Sequence, residues 1–231
     1  GLIPLPIWLA RQVVMRLDAA RLAGELPDLT PDAKTQVGVQ YHEGAPASIY
    51  SIALTTGHKD RTIDYDKLHH NIRQIVIDPV FDAESIRPDR ETRIYISPYE
   101  ASSTGGPAVH AGLTGRKNAM DTYGEFSRHS GAALSGKDPT RIDRVGTYAA
   151  RYAAKNVVAA GLASECEIAV SYAIGHARPI SIQVRTFGTG RILDDRLADV
   201  VSEIFEFRLA GIIKQFRLRH LPAETKGGFY R

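Results

Sequence analysis

The chain has 231 residues, 43% hydrophobic and 24% charged, with a net charge of +3 and a single cysteine. Such a composition belongs to a folded protein of one or two domains and excludes a disordered or fibrous chain; the lone Cys166 excludes a disulfide framework and any multi-cysteine metal site. The small excess of positive charge is uneven: eight Lys and Arg stand against four acids between Arg116 and Lys155, and six against one between Arg208 and Arg231.

Leu9, Val13, Leu17 and Ala20 recur at helical spacing and predict a helix over 6–25. The turn-rich Pro27–Asp32 follows. Alternation around Val37 and Val39 predicts a strand over 34–41, and a loop at Glu43–Pro46 leads to a second strand over 48–56. A helix over 66–77 carries Leu68, Ile72, Ile75 and Val76, and Thr92–Ser97 reads as a strand. This first mixed unit is expected to occupy 1–95, and a second unit 96–231. The second opens on Ser102–Pro107, continues irregularly to Lys137, and enters a long helix over 139–163, with Pro139 favoured in its first turn. Strands are expected over 167–174 and 181–187 and a helix over 194–206, with helix continuing over 209–216. No apolar run approaches the roughly 18 residues of a membrane span. The start lacks the basic stretch and cleavage site of a signal peptide, so a cytoplasmic location and no membrane partner are expected.

The chemistry concentrates in Gly112-Leu113-Thr114-Gly115-Arg116-Lys117, Asp121-Thr122-Tyr123-Gly124 and Ser130–Pro139. Small residues let a backbone approach a ligand closely, and a helix N-terminus offers free N–H groups and partial positive charge, so a phosphate-rich ligand fits there. A surface loop that merely caps the helix fits equally well. Gly131 to Lys137 spells Gly-x-x-x-x-Gly-Lys, but Asp138 stands where a P-loop needs Ser or Thr and no apolar strand precedes it, so a P-loop is rejected. Asp143, between Arg141 and Arg144, suits either a phosphate-bridging metal ion or simple helix capping. Arg144, Tyr148, Arg151 and Lys155 fall near one helical face, the pattern of a solvated face or an interface. The scattered histidines lack an i, i+4 pair, and no nucleic-acid motif accompanies the basic segments, so neither a histidine metal site nor a nucleic-acid partner is expected.

These strings, together with Pro31–Val37, Gly105-Gly106-Pro107, Ser135–Arg144, Tyr148–Tyr152, Lys155-Asn156 and Cys166–Gly175, resemble the S-adenosylmethionine synthetase (methionine adenosyltransferase) family, nearly end to end and in the family's order. The resemblance implies an α+β fold of similar sheet-and-helix domains. It also implies a reaction in which methionine sulfur attacks the ribose 5′-carbon of ATP and the triphosphate leaves, then is hydrolysed to pyrophosphate and phosphate. Matching positions make Lys34, Arg116, Lys117 and Lys137 triphosphate contacts. Arg141 stands where the family usually has Lys, and Asp143 matches a Mg2+ ligand. Asp32 falls near the ribose, and Ala133 and Ile174 line the nucleotide site. Ser102 stands where an aromatic residue normally stacks on adenine, and His110 replaces an aspartate associated with methionine. The resemblance also implies K+, with its ligands mostly in an N-terminal Gly-His-Pro-Asp-Lys part that this sequence does not carry. Two readings follow: a subunit of a split or heteromeric synthetase, in a homo- or hetero-oligomer whose active site another chain completes, or a degenerate homologue with a structural or regulatory role.

Overall fold

Helix α1, Leu5–Leu22, presents Leu9, Val13, Leu17 and Ala20 as one fully buried stripe. The structure, a computed structural model, describes residues 2–59, 64–97, 119, 122–128, 134 and 136–219. The helix stops short of the expected residue 25 because Gly24 takes a left-handed φ of 77°. The N–H groups of Gly24 and Glu25 then return to the carbonyls of Arg21 and Ala20 and close the end.

Strands β1, Leu29–His42, and β2, Ala45–His58, pair antiparallel through the two-residue turn Glu43–Gly44. Both turn residues have positive φ, 50° and 78°, which matches the twist of the strands and lets them run longer than alternation alone indicated. Strand β3, Arg93–Ser97, adds parallel to β2, giving the order β1-β2-β3. Alternation sends Val37, Ile52, Leu54 and Ile96 to one face, where they pack with α1. The Thr35 hydroxyl donates to the Ala10 carbonyl at 2.6 Å and pins that face to the helix.

The connection from β2 to β3 is helical. Asp64 caps α2, Tyr65–Ile72, its carboxylate accepting from the Lys67 N–H at 3.0 Å. The helix does not end at Ile77 as the pattern indicated. It widens into a π-helical turn, Arg73–Ile77, and resumes as α3, Asp78–Asp82. Pro79 has no N–H to return to the preceding turn, and its ring needs room there; the wider turn supplies it and carries Phe81 into the core.

The chain divides into two compact units, Ile3–Gly112 and Leu113–Arg231. In the second, α4, Ile142–Ala159, buries Val145, Ala149, Ala153 and Val157. It starts at Ile142 because Pro139 belongs to a turn in which Asp138 accepts from the Thr140 N–H at 2.8 Å, and Arg141 is still extended. It ends before Gly161, whose φ of 69° closes it as Gly24 closes α1. The hairpin of β4, Glu167–Ser171, and β5, Ser181–Arg185, is antiparallel and two-stranded. Helix α5, Asp194–Ile204, packs Leu197 and Val201 inward, and Asp194 accepts from the Thr186 hydroxyl at 2.5 Å.

The helical run expected to continue is instead broken: Phe205 is extended, and α6, Leu209–Gln215, begins afresh. The break lets Phe207 reach the core at 4% exposure. Glu206 holds the turn by accepting from the Arg208 N–H at 2.8 Å and from its guanidinium at 2.5–3.1 Å. Hydrogen bonds from Arg208 hold the Glu206 carboxyl down at about 2, against an ordinary value of about 4.3. A lowered carboxylate stabilises fully above the unfolded value and loses that contribution as pH falls through the folded one. Glu206→Gln is therefore expected to lower stability at pH 7 by about 0.2–1 kcal/mol, the range of exposed pairs. Urea midpoints should show this deficit closing between pH 4 and pH 2. A deficit that persists at pH 2 would assign it to something other than the ion pair.

Candidate functional site

The turn that delivers the chain into α4 gathers the charged groups. Gly136 has a φ of 78°, the Lys137 N–H returns to the Leu134 carbonyl, and the Arg141 N–H to the Asp138 carbonyl at 3.0 Å. Lys137 reaches forward so that its ammonium pairs with Asp143 Oδ2 on the first turn of α4. The two side chains are 28% and 34% exposed, so the pair is sheltered yet open to a ligand. Arg141, the residue before the helix, is exposed.

Arg144 sits behind them. Its Nη1 donates to the Lys137 carbonyl at 2.5 Å and its Nε to the Tyr148 hydroxyl at 2.9 Å. Thr140 donates twice to Asp138 and holds that carboxyl below the usual range, and the Arg144 and Arg141 charges pull it further down. Asp143 thus meets Lys137, and Asp138 lies within the fields of Arg144 and Arg141 while spending Oδ1 on Thr140.

The helical face expected to be either solvated or an interface is largely covered within the chain. Arg151 is 8% exposed and Tyr148 6%. Arg151 donates to the Tyr123 hydroxyl and lies 5.5 Å from that ring's centre. Burial pushes the Tyr123 phenol up, and Arg151 opposes it. Lys155 is pushed down by burial and then by the Arg151 charge. Arg128 clamps Glu167 at the start of β4 with its N–H at 3.0 Å and its guanidinium at 2.5–2.8 Å. Burial raises the Glu167 carboxyl, but the Arg128 bonds outweigh it and leave it below normal. These contacts tie the 122–128 stretch to α4 and to β4. Cys166 is half-buried, and burial with the nearby Asp194 and Glu167 charges pushes its thiol up to about 11, which makes it a poor nucleophile.

The structure thus brings Lys137, Arg141 and Asp143 to one turn. Ile174 lies in the loop between β4 and β5, fully exposed. Asp32 and Lys34 belong to the first unit, on β1; both are exposed, and Lys34 pairs in register with Thr55. Ser102, His110, Arg116, Lys117 and Ala133 lie outside the described residues. Arg144 and Tyr148 were not singled out as candidate site residues from the sequence, and the structure joins them to this turn; their i, i+4 spacing was the available signal.

The models of two domains match this chain: S-adenosylmethionine synthetase, central domain, over residues 1–101, and S-adenosylmethionine synthetase, C-terminal domain, over 104–230. The chain belongs to the S-adenosylmethionine synthetase family. It is 50% identical over 236 residues to the S-adenosylmethionine synthase of Rippkaea orientalis and 49% identical over 237 residues to that of Trichormus variabilis. These matches cover 99% and 100% of this chain but 56% of each relative. It therefore spans little more than half the length of these relatives. A solved structure of an S-adenosylmethionine synthetase from Campylobacter jejuni, described as unusual, superposes with a TM-score of 0.87 at 34% identity, covering 96% of this chain and 59% of that one. Among the described residues no helix is long and apolar enough to cross a membrane.

Magnesium is the cofactor the family resemblance implies. Among the described residues no three His, Cys, Asp or Glu side chains converge. The ion needs no such cage: it keeps waters and takes one or two carboxylates together with substrate phosphates. A single carboxylate that is one-third exposed, Asp143, fits that habit.

Proposed function

We propose that this chain is the triphosphate-binding part of a methionine adenosyltransferase, in an oligomer where a second chain completes the active site. The observation that carries the reading is the Lys137–Asp143 pair, half-exposed on a turn that also holds Arg141 and Arg144. In the reaction, methionine sulfur forms a bond to the ribose 5′-carbon of ATP and the C5′–O bond breaks. The triphosphate leaves carrying about four negative charges, and fixed cations aimed at developing charge are usually the largest catalytic contribution. Lys137 and Arg141 take phosphate oxygens here, with Arg116 and Lys117 as further contacts; Lys34, in the other unit, is assigned to the triphosphate by its motif alone. Asp32 is assigned to the ribose and Ala133 and Ile174 to the nucleotide. Ser102 and His110 occupy the adenine-stacking and methionine positions.

With a ligand bound, Lys137 would exchange Asp143 for a phosphate oxygen, and Asp143 would be the residue that holds the metal. Bound there, Mg2+ would neutralise and template the phosphates. Potassium is assigned to the completing chain. The pairing before entry keeps both charges compensated and oriented, which lowers the ordering cost of binding.

The side of the first sheet away from α1, where Tyr95 is 54% exposed, supports a completing chain. The test is to purify the chain with whatever accompanies it in its native source and to measure S-adenosylmethionine formed from ATP and methionine. Product is expected from the complex and not from the isolated chain. Turnover by the isolated chain would overturn the completed-site reading. Failure of the complex to make product would favour the second reading, a non-catalytic subunit, which the residues Ser102 and His110 support.

A further inference from the structure

Arg144 makes two of the contacts at the cationic turn, and the phosphate assignment does not use it. Its guanidinium is a bridge. Nη1 donates to the Lys137 carbonyl, seven residues back, at 2.5 Å, and Nε donates to the Tyr148 hydroxyl, one turn ahead, at 2.9 Å. The guanidinium carbon lies 5.7 Å from the centre of the Tyr148 ring, which is 6% exposed and belongs to the core of its unit. The anchor is therefore rigid, and what it holds is the backbone of the residue whose side chain meets Asp143.

Lys137 needs such a hold. Gly136 precedes it with a left-handed φ of 78°, and the turn through Pro139 follows. Neither neighbour lies in a helix or a strand ladder that would set the carbonyl direction. Fixing a residue's carbonyl fixes the peptide plane and hence the path of its Cα–Cβ bond. Arg144 holds one end of Lys137 and Asp143, the adjacent residue of α4, holds the other.

We propose that Arg144 is a positioning residue for the triphosphate site: through the Lys137 carbonyl it aims the Lys137 ammonium. This rests on reading Lys137 as a phosphate contact. The planar guanidinium suits the task because two N–H groups diverge to two acceptors at a fixed angle, which an ammonium on a flexible stem does not reproduce.

The test uses the full chain in two measurements. The first is the Lys137 ammonium resonance in the ligand-free chain, assigned with Lys137→Arg. The second is calorimetric titration with inorganic tripolyphosphate and Mg2+. Arg144→Met is expected to move the resonance to the position of a solvated lysine and to weaken tripolyphosphate about tenfold, the size of one lost charge-assisted hydrogen bond. Arg144→Lys should restore neither. In a Lys137→Ala background, Arg144→Met should weaken residual binding no further, because the effect runs through Lys137; an additive loss would overturn the proposal as a general structural effect. An unchanged resonance and affinity in a folded Arg144→Met chain would also overturn it. Should that variant fail to fold, Tyr148→Phe removes one anchor without leaving a cavity, and an unmoved Lys137 resonance there would count equally against it. If the parent chain ignores tripolyphosphate while the resonance still depends on Arg144, the positioning role stands and the phosphate reading falls.

Discussion

Replacing Lys137 by alanine is expected to cost the complete enzyme about 10²–10³ in rate of S-adenosylmethionine formation, the usual loss when one preorganised donor to a developing anion is removed. Tripolyphosphate titrated into the variant chain should bind correspondingly weakly. The stability change should be small, because the Lys137 and Asp143 side chains are 28% and 34% exposed and such pairs contribute about 0–1 kcal/mol. That contrast is the diagnostic. A large loss of affinity with a nearly unchanged thermal midpoint marks a ligand-binding cation, whereas loss of both in proportion marks a structural one. Undiminished tripolyphosphate binding by Lys137→Ala would remove the observation on which the functional reading depends.

Phe81→Ala should destabilise the first unit by about 3–5 kcal/mol, measured as a lowered urea midpoint followed through signals of that unit. Phe81 is 1% exposed and packs in the cluster that includes Leu9, Val13, Ile72 and Ile77. Its place there depends on the π-helical turn, which lets the helix pass Pro79 and still point α3 into the core. Truncation leaves a cavity among close-packed neighbours, and a loss of this size is a large part of the roughly 5–15 kcal/mol that holds a domain folded. Leu22→Ala is the control: in the same unit and 70% exposed, it should shift the midpoint little. A Phe81→Ala midpoint as close to the parent as that of Leu22→Ala would show that the cluster does not carry the unit's stability.

The strands and helices were legible where burial is periodic. Val37 and Val39 alternate on β1, and Leu9, Val13, Leu17 and Ala20 recur on α1, because one face of each element meets a core. Boundaries were less legible, partly through unread signals: Gly24 and Gly161 were present as helix stops. The widened turn at Pro79 and the break at Phe205 were not, since each depends on whether a particular side chain, Phe81 or Phe207, gains burial by it. In the site, Lys137, Arg141 and Asp143 stood out through the family's motif. Arg144 did not, because one of its partners is a backbone carbonyl, and residue identity records nothing of where a carbonyl points.

The basic segment from Arg116 to Lys155 shows both halves of this division. Its residue types and their order establish the family and show that cations cluster there, for these are properties of the string itself. Which cations serve a ligand and which are built into the fold is a tertiary matter. Spacing places Arg144, Tyr148, Arg151 and Lys155 near one face of α4, and from that alone the face reads as solvated or as an interface. The fold instead sets Tyr123 against Arg151 and sinks Arg151 to 8% exposure, while Lys137 stays at a half-open turn. Helical periodicity determines which side chains share a face; what that face meets is decided only by packing between segments distant in sequence.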